Sequence, residues 1–541
     1  MSGPGANAAS RLVAYATDAP VRLAGVRVAA AAALLGAASG LGLELALGAA
    51  GWPLVAWLAP APLLLAIRRA RSVGLAYAAA FSTGCVFWAL HLRWTGPLPG
   101  VNAANYGVAV ALLGALFGLV GPLSWPARWA PTGTRWAALA AAWALVEYVR
   151  LHVGFASTPW GMLAYSQVGQ TPAEQLAAFT GLYGLSFLVV SGAAAISVVM
   201  HAASMRRWRL GPARWEVVAP VAVIAAVMLW GAIRVETAAP GAAKLRIGLV
   251  QGGTYERGVD PPTRRRQILE QYLEQTRRVA EAGVDLVAWP ASSVPGAIPF
   301  DTGLVRSLGT LSQEIATPLL VGSSGQAKSS PSQRDRPTAN SAFLIDPRGE
   351  IVGQYDKIQL LPFNEYQPLR ALLRWPGWVA GDAIDARAGE NRSVFELNDA
   401  RFGVLICWEN LFPDGFRATT SLGLDFVASL TNEAFTPDGD AHRQMLTMNR
   451  LRAIENGIPV IRIATTGVTG AIDRLGRLSA VVSDASGQTR DVVGYRVAEV
   501  TLGSSPSFYA RYGDVFAATC ALAVAALTIG RALRRRAVGI T

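Results

Sequence analysis
Apolar residues fall along this chain in two textures. From about Val28 to Arg234 they gather in successive stretches of about 20 residues, the length a helix needs to cross the hydrocarbon core of a bilayer. The pattern predicts seven spans, near 27–48, 52–68, 75–95, 105–127, 135–151, 178–201 and 216–235, and an eighth over about Val515 to Ile529. Pro53, Pro60 and Pro62 crowd the second span and blur its ends. Met1–Arg22 has no apolar core, so no cleavable signal peptide is predicted. In residues 240–512 the apolar runs shorten to strand length, about four to seven residues. They are Leu245–Val250, Asp285–Trp289, Pro318–Val321, Ala342–Ile345, Phe402–Cys407, Phe426–Leu430 and Val460–Ala464. Helix-like stretches, such as Thr263–Ala282 and His442–Asn456, lie between several of them. Short apolar strands alternating with helices predict an α/β domain with buried sheets.

Charge orients this arrangement. Hydrophobic residues make up 52% of the 541 and charged ones 16%, a membrane-protein balance with a length that calls for at least two domains. The net charge of +12 does not point to nucleic acid, because the arginines cluster between spans. Arg11 and Arg22, then Arg68, Arg69 and Arg71, then Arg128 and Arg135, then Arg206, Arg207, Arg209 and Arg214, and finally Arg531, Arg534, Arg535 and Arg536 all fall on one side if eight spans are threaded. The opposite loops carry chiefly Arg93 and Arg150. Both termini are therefore expected in the cytoplasm and residues 240–512 outside it. The expected division is 1–239 membrane domain, 240–512 outward domain, and 513–541 last span with a basic tail.

Cys85, Cys407 and Cys520 imply no disulfide framework, and the four histidines show no ligand spacing, so neither a metal nor another cofactor is expected. Cys407 alone lies outside the apolar spans, in VLICWEN (404–410). A strand end is where a rigid scaffold can aim a nucleophile, although a single cysteine there is also an ordinary buried residue. A thiol that attacks an ester or amide needs a base, an oxyanion stabiliser and a proton donor for the leaving group. YDKIQLLPFNEY (355–366) offers Lys357 as the cation and Glu365 as support, and Glu409 follows the thiol by two residues. Taken singly, Lys357 and Glu365 would read as surface charges. LVAWPASSVPG (286–296) adds a strand running into a small-residue loop, and SLTNEAF (429–435) with His442 adds a further polar strand end.

These segments in this order resemble the nitrilase, or carbon–nitrogen hydrolase, superfamily, which implies an αββα sandwich and a Glu–Lys–Cys triad. With eight spans flanking the sandwich, and with STPWGMLAYSQ (157–167), LYGLSF (182–187) and FYARYGDVF (508–516), nearly the whole chain resembles the apolipoprotein N-acyltransferase family. That resemblance implies a multi-pass protein of the bacterial inner membrane with its catalytic domain in the periplasm, taken here as a monomer. The implied partners are a phospholipid acyl donor, a diacylglyceryl apolipoprotein acceptor and the lipid bilayer. It places the nucleophile at Cys407, the oxyanion cation at Lys357, supporting carboxylates at Glu365 and Glu409, and substrate contacts at Trp408, Asn432, Phe435 and His442. The apolar loops at Pro295–Asp301 and Trp375–Trp378 are expected to dip into the membrane interface.

One departure bears on the chemistry. The family's triad carboxylate follows Trp-Pro, and here Trp289-Pro290 is followed by Ala291. Alanine cannot take a proton, and Ser292 and Ser293 are poor bases; loss of a positioned base costs about 10²–10⁴ in rate. A tryptophan expected after Gln251 is missing from 252–260, and the family's Asn-Asp-Ala-Trp reads Asn432-Glu433-Ala434-Phe435. Three accounts follow, the first put foremost: an alanine introduced to stop turnover, a non-catalytic paralogue that binds lipid or lipoprotein, or Glu365 or Glu409 acting as base. A membrane-tethered amidase and a transporter are rival classes; the amidase needs fewer spans, and the transporter would need more intramembrane charge than Glu44, Glu147 and His91 provide.

Overall fold
The computed structural model describes residues 6–98, 100–169, 171–206, 210–238, 243–253, 261–293, 297–326, 338–380, 386–434 and 439–538. Among them, six helices are long and apolar enough to cross a membrane: Val26–Leu47, Val73–His91, Ala103–Trp129, Pro172–Ser204, Gly211–Glu236 and Val515–Leu533. The other two expected spans take different forms. Residues 52–68 break into Pro53–Leu58 and Ala61–Arg69, because Pro60 and Pro62 interrupt the backbone ladder. Residues 135–151 form one helix, Arg135–Leu151, of 17 residues with Glu147 and Arg150 buried in it.

The α/β part is a sandwich of two six-stranded sheets. Its strands are β1 (Lys244–Gln251), β2 (Leu286–Ala288), β3 (Leu319–Gln326), β4 (Thr338–Ile345), β5 (Ile351–Asp356), β6 (Val394–Leu397), β7 (Ala400–Ile406), β8 (Phe426–Thr431), β9 (Val460–Ala464), β10 (Gly470–Ile472), β11 (Leu478–Ser479) and β12 (Gly494–Thr501). One sheet runs β12-β1-β2-β3-β4-β5 and the other β11-β10-β9-β8-β7-β6. β1, β2 and β3 are parallel, as are β7, β8 and β9. β5 is antiparallel to β4, which is antiparallel to β3, so the C-terminal ends of β2, β5 and β3 share one edge.

The strand period of two explains the layering. Ile247, Leu249, Ala288, Leu320, Val404, Ile406, Ala428, Leu430, Ile461 and Ile463 fill the space between the sheets. The alternate residues Val250, Val287, Trp289 and Val321 pack outward with the helices Pro261–Ala280 and Thr302–Ile315. On the other sheet Leu405, Val427 and Val460 pack with Phe416 and Ala453 of the helices Pro413–Thr420 and Gly439–Asn456. All seven expected strands are present; β5, β6 and β10–β12 are additional.

The two parts share a core. Leu411, Phe412, Ala441, Met445, Met448, Leu451 and Ile454 belong to the same buried apolar cluster as Trp88, Trp143, Leu163 and Tyr183 of the helical part. Glu455 Oε1 accepts from the Leu182 amide (2.9 Å) just past Gly181, whose φ of 64° breaks the helix there.

Candidate active site
β7 ends at Ile406, and Cys407 turns the chain with φ at +54°, a left-handed conformation that costs a side-chain-bearing residue about 1–2 kcal/mol. Two buried side chains of the same turn, Cys407–Leu411, hold it there. Glu409 accepts from the Ile406 amide (2.7 Å) and the Tyr355 hydroxyl (2.7 Å) on Oε1, and from the Ile358 (3.0 Å) and Gln359 (3.2 Å) amides on Oε2. It therefore pins the Cys407 turn of one sheet to β5 and the loop after it in the other. Asn410 Oδ1 accepts from Asn449 Nδ2 (3.1 Å) on the opposite side. Asn449 Oδ1 in turn accepts from Arg462 Nη1 (2.7 Å) and Ser429 Oγ (3.0 Å), and Arg462 Nη2 pairs with Glu433. This buried network, which the sequence did not disclose, lies under the helix Gly439–Asn456 because Ser429 and Arg462 occupy outward positions of β8 and β9.

Lys357 follows β5 and is almost fully buried; its Nζ donates to Glu365 Oε2 at 2.7 Å. The same oxygen accepts from the Leu361 amide (2.7 Å), while Oε1 is only 3.5 Å from Asn340 Nδ2. Cys407 is half-buried; burial pushes its thiol up, Lys357 pulls it down and Glu365 pushes it up again. The Asn432 backbone N–H also reaches the sulfur and pulls it down. Burial likewise pushes the Glu409 carboxyl up, against the pull of the Ile406 amide, Tyr355 and Lys357.

Trp408 does not point into the sandwich. Its ring stacks on Trp160 (5.2 Å, 26°) and meets Phe412 (5.2 Å), and Trp160 lies 5.4 Å from Trp94. A row of indoles thus runs from beside the thiol into the helical part. The Asn432 side chain braces its own turn, accepting from Ala434 N (3.1 Å) and Thr465 Oγ1 (3.0 Å). His442 is buried with Nε2 3.3 Å from the Glu433 carbonyl, so it braces the same loop. Phe435 lies outside the described residues.

Ala291 is buried, and its methyl belongs to the inter-sheet cluster on which Cys407 packs. Trp289 faces outward, its Nε1 donating to Thr276 Oγ1 (2.8 Å), so Pro290 and Ala291 turn back between the sheets. A Cβ at Gly322 would sit 2.6 Å from Ala291 Cα, so glycine is what allows this loop to settle on β3. Although no histidine has ligand spacing in the sequence, His152, Asp414 and Asp514 converge with ligand-type atoms within 4.8 Å of one another. His152 Nε2 and Asp414 Oδ2 form an ion pair there at 2.9 Å.

Two family descriptions match the chain: carbon-nitrogen hydrolase over residues 246–499, and apolipoprotein N-acyltransferase N-terminal domain over residues 39–195. An apolipoprotein N-acyltransferase of Geobacter metallireducens is 30% identical over 519 residues, covering 93% of this chain and 96% of that protein. The chain belongs to the apolipoprotein N-acyltransferase family. It is accordingly an integral membrane protein with a nitrilase-like α/β domain. The namesake from Gloeobacter violaceus is 28% identical, over 93% of this chain and 94% of that one. Among solved structures, an amidase from Nesterenkonia sp. is 19% identical with a TM-score of 0.36, covering 50% of this chain and 92% of the amidase.

Proposed function
We propose that this chain is built for N-acylation of the α-amino group of diacylglyceryl-cysteine in apolipoproteins, by a ping-pong route through Cys407, and that Ala291 leaves it inactive or strongly impaired. Cys407 Sγ would attack an ester carbonyl of a phospholipid, losing its proton to a carboxylate as the C–O bond breaks and the lysophospholipid alcohol leaves with a proton. The lipoprotein amine would then attack the thioester, breaking the C–S bond and restoring the thiol. Lys357 and the Asn432 backbone N–H, the two groups that pull the thiol down, would be the donors for the oxyanion. Glu409 positions the nucleophile turn, since all four of its hydrogen bonds are committed. Glu365 keeps Oε1 nearly unbound and is the carboxylate left to take a proton slowly. Asn432, Phe435 and His442 belong to the substrate side of this reading.

The observation that carries it is the stack of Trp408, next to the nucleophile, on Trp160 of the helical part. An amidase for soluble substrates has no use for an apolar row from thiol to membrane, whereas an acyl chain needs one. The same reading takes eight spans, counting the broken 53–69 segment and Arg135–Leu151. It divides the chain at 1–239, 240–512 and 513–541, and puts a monomer in the bacterial inner membrane with both termini cytoplasmic and the α/β domain periplasmic. A second reading, a paralogue that binds lipid or lipoprotein without turnover, is favoured by the buried Ala291 methyl at the base position.

The test is intact-protein mass measurement after incubation with phospholipid, beside an Ala291→Glu version. A hydroxylamine-sensitive acyl adduct on Cys407 only in Ala291→Glu means an acyltransferase lacking its base. An adduct on both means Glu365 serves, and an adduct on neither transfers the case to the binding paralogue.

A further inference from the structure
At the end of the helical part farthest from the sandwich, a cavity of ≈ 180 Å³ opens among Arg68, Arg128, Arg135 and His201. The 17-residue helix Arg135–Leu151 fixes its place, since the residue after its last turn, His152, pairs with Asp414 of the α/β domain, and Arg135 begins it about 25 Å away. His201 lies near the end of Ala177–Ser204, whose first turns meet Glu455. The cavity is thus on the opposite membrane face from Cys407.

Its charge is unbalanced. Three guanidiniums line it, and among the described residues one buried carboxylate, Glu216, pairs with two of them, at 2.8 Å from Arg68 and 3.8 Å from Arg135. Each arginine is also oriented by a bond of its own: Arg68 Nε to Ser197 Oγ (2.9 Å), Arg128 Nη2 to the Ala70 carbonyl (3.2 Å), and Arg135 Nε to the Ala130 carbonyl (3.4 Å). The buried Arg128 Nε and Ser124 Oγ, both at cavity-lining residues, have no hydrogen-bond partner among the described residues. Arg128 lies over the Trp125 ring (3.2 Å) and Arg531 over Trp129 (3.3 Å), and tryptophans paired with arginines mark headgroup depth in a bilayer. Ile67, Ala127 and Leu139 supply an apolar wall.

Fixed guanidiniums in surplus, an unmatched hydroxyl and an apolar wall at headgroup level match one chemistry: a phosphate ester carrying acyl chains. We propose that this cavity binds the phosphate headgroup of an anionic phospholipid from the leaflet opposite the thiol, separately from any lipid the active site takes. The site rests only on the chain crossing a membrane, so it stands or falls independently of the acyl-transfer reading.

The experiment is native mass spectrometry of the full-length chain in detergent, titrated with phosphatidylglycerol or phosphatidylcholine, alongside an Arg128→Gln/Arg135→Gln form. Arg68 is left in place because Glu216 depends on it. Lipid bound near Cys407 is common to both forms and cancels in the comparison. Each guanidinium lost is expected to weaken phosphatidylglycerol binding about fivefold, about 25-fold for the pair, with phosphatidylcholine unchanged. Arg128→Lys/Arg135→Lys is expected to keep most of the binding, which separates charge from misfolding. Inorganic phosphate at millimolar concentration is expected to compete poorly, lacking the acyl chains. Equal phosphatidylglycerol binding by wild type and the Gln form, equal loss in the Gln and Lys forms, or displacement of lipid by phosphate alone would each overturn the assignment.

Discussion

Replacing Glu409 by Gln changes one atom and tests the architecture around the thiol. The carboxylate faces four donors: the Ile406 amide and Tyr355 hydroxyl on one oxygen, the Ile358 and Gln359 amides on the other. Gln can turn its NH₂ toward the Ile358 and Gln359 amides, losing both bonds, or toward Ile406 and Tyr355, losing the amide bond while the Tyr355 hydroxyl turns to accept. Hydrogen bonds to a charged group contribute about 1.5–3 kcal/mol each, so losing one or two gives roughly 1.5–6 kcal/mol before relaxation. Taking about 3 kcal/mol, a body larger than about 250 residues should melt lower by a few degrees, less than the roughly 6–12 °C expected of about 150–250 residues. Tyr355→Phe removes one bond and leaves three amides, so its loss should be about a third to a half as large. The Cys407 turn should loosen as well, because its left-handed residue is no longer held. Melting followed by intrinsic fluorescence reads the first effect, and the rate of Cys407 alkylation by iodoacetamide reads the second. A Glu409→Gln protein that melts with the wild type and alkylates at the same rate would refute the claim that Glu409 clamps the two sheets around the thiol.

Three further outcomes follow from the geometry. Asp414 raises the His152 pKa through their hydrogen bond, and His152 lowers that of Asp414. The histidine's contribution is complete below its unfolded pKa of about 6.5 and lost as pH rises through its higher folded value, while the aspartate's is lost only as pH falls below about 4. The gap in melting temperature between wild type and His152→Ala should therefore be widest between about pH 4 and 6.5 and narrow above it; a gap that widens toward pH 8 would contradict the pair. Gly322→Ala places a Cβ 2.3 Å from the Pro290 carbonyl, so the Ala291 loop must shift; Cys407 acylation in an Ala291→Glu background should fall at least tenfold, as read by adduct mass. Trp378 is exposed, and its carbonyl accepts from Asn102 and Asn105, which ties the loop to the start of the helix Ala103–Gly118, part of a candidate span. Changing Trp375 and Trp378 to Asp should reduce both insertion depth and acylation in the Ala291→Glu background, with no change in either counting against interfacial docking.

What the sequence disclosed depended on whether the physics was local. Buried parallel strands such as β7, β8 and β9 are continuous apolar runs, so they stand out along the chain. β12 alternates exposed and buried residues at a sheet edge, and β6, β10 and β11 span four residues or fewer, so they do not. Cys407, Lys357 and Glu365 could be named as candidates because the motif order carries them. Glu409 was read as a support, but what it ties together was not legible, since three of its four donors come from residues about fifty positions away. The Glu433–Arg462–Asn449–Asn410 network had no signal at all: each residue alone reads as an ordinary polar position. His152 and Asp414, 262 residues apart, are likewise joined only by the fold.

The helix Gly439–Asn456 explains why the sandwich is not merely tethered. Ala453 packs toward β7–β9, while Ala441, Met445, Met448, Leu451 and Ile454 join the core of the helical part. A helix apolar on both sides shows no clean amphipathic stripe, and its polar residues Asn449, Arg452 and Glu455 are buried with it. Burying Arg452 and Glu455 is costly unless they are paired, and they pair with each other at 3.1 Å while Glu455 also accepts from Leu182 across the junction. Removing either partner would leave a charge buried in the shared core. The membrane helices and the α/β domain are therefore one packed body, and the turn that carries Cys407 inherits its position from both. Trp408 and Phe412 extend from that turn into the same shared core, so the distance from thiol to membrane is set by packing rather than by a linker.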